Sequence, residues 1–137
     1  MEYQKNAHGE IFFDESYLSR NILISKPIGI WNEEGASECI ELIAQYLPKL
    51  SDKPWGSVVD MRGWETCTPE VMLMLDKAVL HFSQNNLAFE AVIPSMSLQK
   101  AIVTKYSEKV TERKLVTEYF SEQEDAINWL MIQLNSG

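Results

Sequence analysis

Residues 55–70, Trp55-Gly56-Ser57-Val58-Val59-Asp60-Met61-Arg62-Gly63-Trp64-Glu65-Thr66-Cys67-Thr68-Pro69-Glu70, decide the fold. The first seven follow the turn Asp52-Lys53-Pro54 and are rich in apolar and β-branched side chains, so residues 55–61 read as a strand. Thr68-Pro69-Glu70 then opens a helix. It supplies a capping hydroxyl, a proline at the first helical position, where its missing N–H costs nothing, and an acid suited to the positive end of the dipole. That helix runs to about residue 84, where Asn85-Asn86 breaks it, and residues 87–93 form the next strand, ended by Pro94. Strands separated by a helix imply parallel pairing through a right-handed crossover.

The same alternation extends in both directions. Upstream, residues 9–15 and 18–26 read as two strands of a hairpin, the second carrying the continuous apolar run Ile22-Leu23-Ile24 and ended by Pro27 and Gly29. Asn32 caps a helix reaching about residue 47, with Glu33 and Glu34 in its first turn and Ala36, Cys39, Ile40, Ile43 and Leu47 on one face. Pro48 stops it. Downstream, residues 95–109 form a third helix with Leu98, Ala101, Ile102 and Tyr106 inward, and residues 114–120 form a fifth strand. Ser121-Glu122-Gln123-Glu124 is a capping box for a last helix through residue 134, with Ala126, Ile127, Leu130 and Leu134 as its buried stripe. The order β-β-α-β-α-β-α-β-α predicts an α/β fold with a mixed, mostly parallel five-stranded sheet, in one domain spanning residues 1–137.

Composition narrows the function. The chain of 137 residues is 45% hydrophobic and 23% charged, as expected of an ordinary globular domain able to bury its own core. Its net charge of −8 argues against nucleic acid and against docking on anionic lipid by charge. Two cysteines, Cys39 and Cys67, are too few for a disulfide scaffold, and Cys39 reads as a small core residue. The polar first ten residues lack a signal-peptide core, and no stretch approaches a membrane span, so the expected location is cytoplasmic.

Chemistry-bearing residues concentrate after the strand 55–61, where open α/β sheets place ligands. Three readings compete for Asp60, Arg62, Trp64, Thr66, Cys67 and Thr68. In the structural one, Asp60 and Arg62 pair, Gly63 turns the chain and Trp64 covers the core edge. In the regulatory one, Thr66 or Thr68 receives a phosphate beside the free N–H groups of the helix start. In the enzymatic one, Cys67 is a nucleophile activated by the helix N-terminus, but His8 and His81 lie elsewhere in this topology and no general base converges on it. There is no nucleotide loop of GxGxxG or GxxxxGK[ST] type, no HExxH and no GxSxG, and two histidines without carboxylate spacing give no metal site. No cofactor is expected.

In the helix after Thr68, a spacing of 100° per residue puts Val71, Met74, Leu75, Ala78 and Phe82 on the core face. Leu73 and Leu80 fall nearly opposite, beside Lys77, as a candidate contact patch. Met131 and Ile132 stray from the stripe of the last helix and mark a candidate homodimer contact.

The segments Ile30-Trp31-Asn32-Glu33-Glu34-Gly35-Ala36, Val58-Val59-Asp60-Met61-Arg62-Gly63-Trp64, Thr68-Pro69-Glu70 and Asp125-Ala126-Ile127-Asn128-Trp129-Leu130 resemble the STAS domains, in their divergent bacterial SpoIIAA-like branch. The resemblance spans about residues 7–134. It implies helices largely on one sheet face and a regulatory protein-interaction module without chemistry of its own, as in anti-sigma-factor antagonists. Those antagonists carry a phosphorylated serine in a DSxG-like sequence at the start of the second helix. The matching stretch here, Glu65-Thr66-Cys67-Thr68-Pro69, has no serine, so the resemblance does not bring that switch with it. The divergent branch, with its proposed kinship to Sec14-like lipid-binding domains, implies an alternative role as a binder of a small nonpolar ligand. Six methionines and 10% aromatic residues accord with such a pocket.

Overall fold

The computed structural model describes residues 3–6, 9–94 and 115–136. The helix expected over residues 95–109 lies outside them. β1 (Tyr3–Asn6) and β2 (Gly9–Asp14) pair antiparallel, and β2 pairs antiparallel with β3 (Ile22–Trp31). From β3 the sheet continues in parallel through β4 (Trp55–Met61), then β6 (Leu87–Pro94) and β7 (Val116–Tyr119). The described sheet has seven strands where five were expected, in the order β1-β2-β3-β4-β6-β7, with β5 (Trp64–Cys67) beside β3.

Both additions have local causes. Residues at the start of the chain add β1 to the hairpin. After Met61 the chain makes a turn at Arg62-Gly63 and resumes the same direction, pairing with the far half of β3 as β5. The segment expected as a loop after β4 is therefore partly strand, tied by Gly29 N–H donating to Gly63 O at 2.9 Å. Pro27 and Gly29 accordingly do not end β3, which continues to Trp31. Pairing with β4 stops at Ser25 and pairing with β5 starts at Gly29, so Pro27 occupies the interval between them and its missing N–H removes no rung there. Gly29 adopts φ +88° at the register shift, a conformation that glycine accepts without strain.

Two of the helix caps are as expected. Asn32 Oδ1 accepts from Gly35 N at 2.8 Å to start α1 (Glu33–Ala44), and Thr68 Oγ1 accepts from Val71 N at 3.2 Å to start α3 (Pro69–Ser83). α1 ends three residues short of the expected 47, and Leu47–Leu50 forms a separate turn of helix, α2, with Pro48 in its first turn, where proline is tolerated. The last helix, α4 (Gln123–Ser136), has its N-cap at Glu122, not at Ser121, because Ala126 N–H donates to Glu122 O.

Strand alternation divides the interior into two layers. α1 and α3 pack on one sheet face over Ile11, Leu23, Trp55 and Val92. α4 packs on the other, over Ile22, Ile24, Val58 and Ala91, with Ala126, Ile127 and Leu130 turned in as expected. Ile132 is 62% exposed. No helix among the described residues is long and apolar enough to cross a membrane.

Candidate functional site

The residues expected to form one working surface are divided by the sheet. Asp60 alternates with Val58 and so lies on the α4 face, while Trp64 belongs to the core on the α1/α3 face. Asp60 is buried and accepts from Arg62 Nε at 2.9 Å, Arg62 Nη2 at 2.8 Å and Arg62 backbone N at 3.2 Å. Burial raises the affinity of this carboxyl for its proton. The bonds from Arg62, the charge of Arg62 and that of Lys26 more than reverse this, and its pKa lies below the ordinary aspartate value. The pair closes the turn that leads from β4 to β5, as the structural reading anticipated.

Trp64 is only 3% exposed, so it is not the contact residue the interface reading required. Its ring meets Trp31 edge-to-face at 6.4 Å and 87°. Thr66 and Cys67 lie in β5, where their backbone pairs with Ile30 and Trp31, and their side chains fall outside the described atoms. Thr68 is exposed and engaged as the cap. Leu73 is 44% exposed, whereas Leu80 is half-buried, so only one member of the expected patch is open. The inward face of α3 is also rotated from the expected one. Val71 and Phe82 are buried as predicted, but Met72 and Asp76 are buried too, and Met74 is only partly so.

That rotation exposes the feature the sequence reading missed. Between the sheet and helices α1 and α3 lies a cavity of about 120 Å³. Its walls are chiefly apolar: Trp31 and Trp64 stand toward the carboxyl ends of the strands, and Trp55 and Phe82, 6.4 Å apart, toward the amino ends. Trp31 Nε1 donates to Ile28 O at 3.1 Å and Trp55 Nε1 to Asn85 O at 2.9 Å, so these indoles present rings to the space while their polar atoms are satisfied behind it. Four polar side chains also line the cavity: Ser25, Ser57, Asp76 and Glu90. The signal that could have located it was strand alternation, which places Ser57 on the face of Trp55 and Val59, opposite Asp60.

Cys39 is buried on α1, and that burial, with Glu38 nearby, pushes its thiol pKa up to about 12. Among the described residues no three His, Cys, Asp or Glu side chains cluster as a metal site.

No protein-family model matches the sequence, and no curated protein matches it. Among solved structures, the chain is similar to an uncharacterized protein from the DUF3478 family with a SpoIIAA-like fold from Shewanella loihica PV-4. The two share 18% identity at a TM-score of 0.66, over 93% of this chain and 98% of that one. This likeness gives the chain a SpoIIAA-like fold, in agreement with the resemblance read from its motifs.

Proposed function

We propose that this SpoIIAA-like fold acts by binding, without chemistry of its own, and that what it binds is a small nonpolar molecule held between the sheet and helices α1 and α3. The cavity of about 120 Å³ with aromatic walls carries that assignment. Cores normally pack with few voids larger than a water molecule, and a cavity of roughly 150 Å³ holds one benzene. A space near that size, walled by Trp31, Trp55 and Trp64, supports the reading of a ligand site. The protein-partner role is supported only by scattered exposed apolar side chains, Leu73 on α3 and Ile132 on α4 among them, and singly exposed apolar residues are ordinary on protein surfaces.

The four tryptophans supply the test. Three line the cavity, while Trp129 packs against Phe89 at 5.9 Å on the opposite sheet face. In ¹H–¹⁵N spectra of the protein titrated with toluene, the indole N–H signals of Trp31, Trp55 and Trp64 shift and that of Trp129 stays. Absence of any shift, or equal movement of all four, overturns the assignment.

A further inference from the structure

A second recess lies on the α4 side of the sheet, at the amino ends of the strands. It is an open groove of about 590 Å³, within the usual range of about 300–1,000 Å³ for ligand sites. Its apolar wall is Phe89 of β6 with Met131 and Leu134 of α4, all half-buried. Behind that wall the Phe89 ring meets Trp129 edge-to-face at 5.9 Å and 89°. The other rim carries Arg20, from the 3-10 turn Leu18–Arg20, and Lys53, from the turn before β4, both exposed. Asn21 fixes these two turns against each other. It is buried at φ +62°, a conformation asparagine tolerates better than most residues, and its Nδ2 donates to Pro54 O at 3.0 Å while Gly56 N donates to Asn21 O at 3.0 Å.

The charge of the groove is opposite to that of the molecule. The chain has 20 Asp and Glu against 12 Lys and Arg, yet among the described residues lining the groove there are two cations and no acid. Arg62 is closed on Asp60, whereas neither Arg20 nor Lys53 forms an ion pair among the described residues. Leu134 and Asn135 bring the last turn of α4 to the groove, and the carboxyl end of a helix carries a partial charge of about −0.5. Two cations exceed that by more than one unit. The surplus matches the single charge of a carboxylate better than the double charge of a phosphate, and the guanidinium fork of Arg20 fits the two oxygens of a carboxylate.

We infer that this groove binds a small organic carboxylate, its apolar body on Phe89, Met131 and Leu134 and its charged end between Arg20 and Lys53. The site is separate from the cavity beneath α1 and α3 and does not rest on it.

Four probes test the two halves of the site: 2-naphthoate, its neutral isostere 2-naphthamide, 2-naphthyl phosphate and acetate, each titrated into the full chain. In ¹H–¹⁵N spectra, naphthoate should shift the indole N–H of Trp129 and the backbone N–H of Asn21 and leave those of Trp31, Trp55 and Trp64 in place. It should bind about three- to tenfold tighter than naphthamide, and about tenfold or more tighter than acetate, which lacks the apolar body. Arg20→Gln and Lys53→Gln should each weaken naphthoate about two- to fourfold with naphthamide unchanged, and the double variant should lose the preference. Naphthamide or acetate binding as tightly as naphthoate, naphthyl phosphate binding more tightly, or shifts at the cavity tryptophans in place of Trp129 overturns the assignment. Variants that are less stable yet bind naphthoate as before overturn it too, because they assign the two cations to the carboxyl end of α4. Toluene at the cavity has no bearing on these outcomes, so the two sites stand or fail separately.

Discussion

Replacing Ala78 with leucine tests the cavity and its proposed use in one molecule. Ala78 lines the void from α3. At roughly 24 cal/mol per Å³, an empty space of about 120 Å³ corresponds to about 3 kcal/mol of unrealised stability. Ala78→Leu adds three carbon groups, which at about 0.8 kcal/mol each contribute up to about 2.4 kcal/mol if they fill it. Ordering the longer side chain takes back about 0.5–1 kcal/mol, and helix propensity a few tenths. The expected gain is about 1–1.5 kcal/mol, read as a higher urea midpoint at unchanged slope, with Tm raised by roughly 4–6 °C for a chain of this length. The same variant should no longer shift its cavity tryptophan signals with toluene, because the space is occupied. A variant destabilised by more than about 1 kcal/mol that still binds toluene would show that Ala78 does not face the void, and a stabilised variant that still binds would place the ligand elsewhere.

Arg62→Ala should cost about 1–2 kcal/mol at neutral pH, at the low end of buried charged bonds because the Arg62 side chain is 46% exposed. Since the pKa of Asp60 is lowered in the fold, the stability it contributes is present above the unfolded value of about 3.9 and is lost as pH falls through the folded one. Urea melts of both proteins should therefore differ near pH 7 and converge toward about pH 2, and a difference independent of pH would contradict the pairing. Gly9→Ala should destabilise by about 3 kcal/mol or more, because a Cβ there would sit 2.4 Å from Trp31 Cδ1 on a backbone at φ +135°, and a loss below about 1 kcal/mol would refute that close approach. Cys39 should resist iodoacetamide in the native protein at about pH 8 and react only after denaturation, as peptide mapping would show, since its thiol is held protonated by burial.

The parts of the fold legible in the sequence are those decided by neighbouring residues. The strand at 55–61, the caps Asn32 and Thr68 and the buried stripe of α4 each follow from a local pattern, and each is where that pattern put it. β5 and the long β3 were not legible, because Pro27 and Gly29 look like terminators until a second partner is known to take over the pairing beyond them. The cavity failed to show for a related reason. Apolar periodicity discards Asp76 from the inward face of α3, and a lone serine or glutamate within a strand gives no sign of what its neighbours across the sheet will be. Adjacency across three strands is a property of register, which is set by the whole sheet and not by any one segment.

The cavity also makes the two sides of the sheet respond differently to compression. A void that solvent fills on unfolding lowers the volume of the opened state, and 120 Å³ per molecule is about 70 mL/mol, within the range of volume changes for entire domains. That volume lies between the sheet and helices α1 and α3. Hydrostatic pressure should therefore loosen those helices first, while α4 keeps its hold on the aliphatic row of Ile24, Val58 and Ala91. A ligand seated in the cavity removes the void and with it most of that asymmetry.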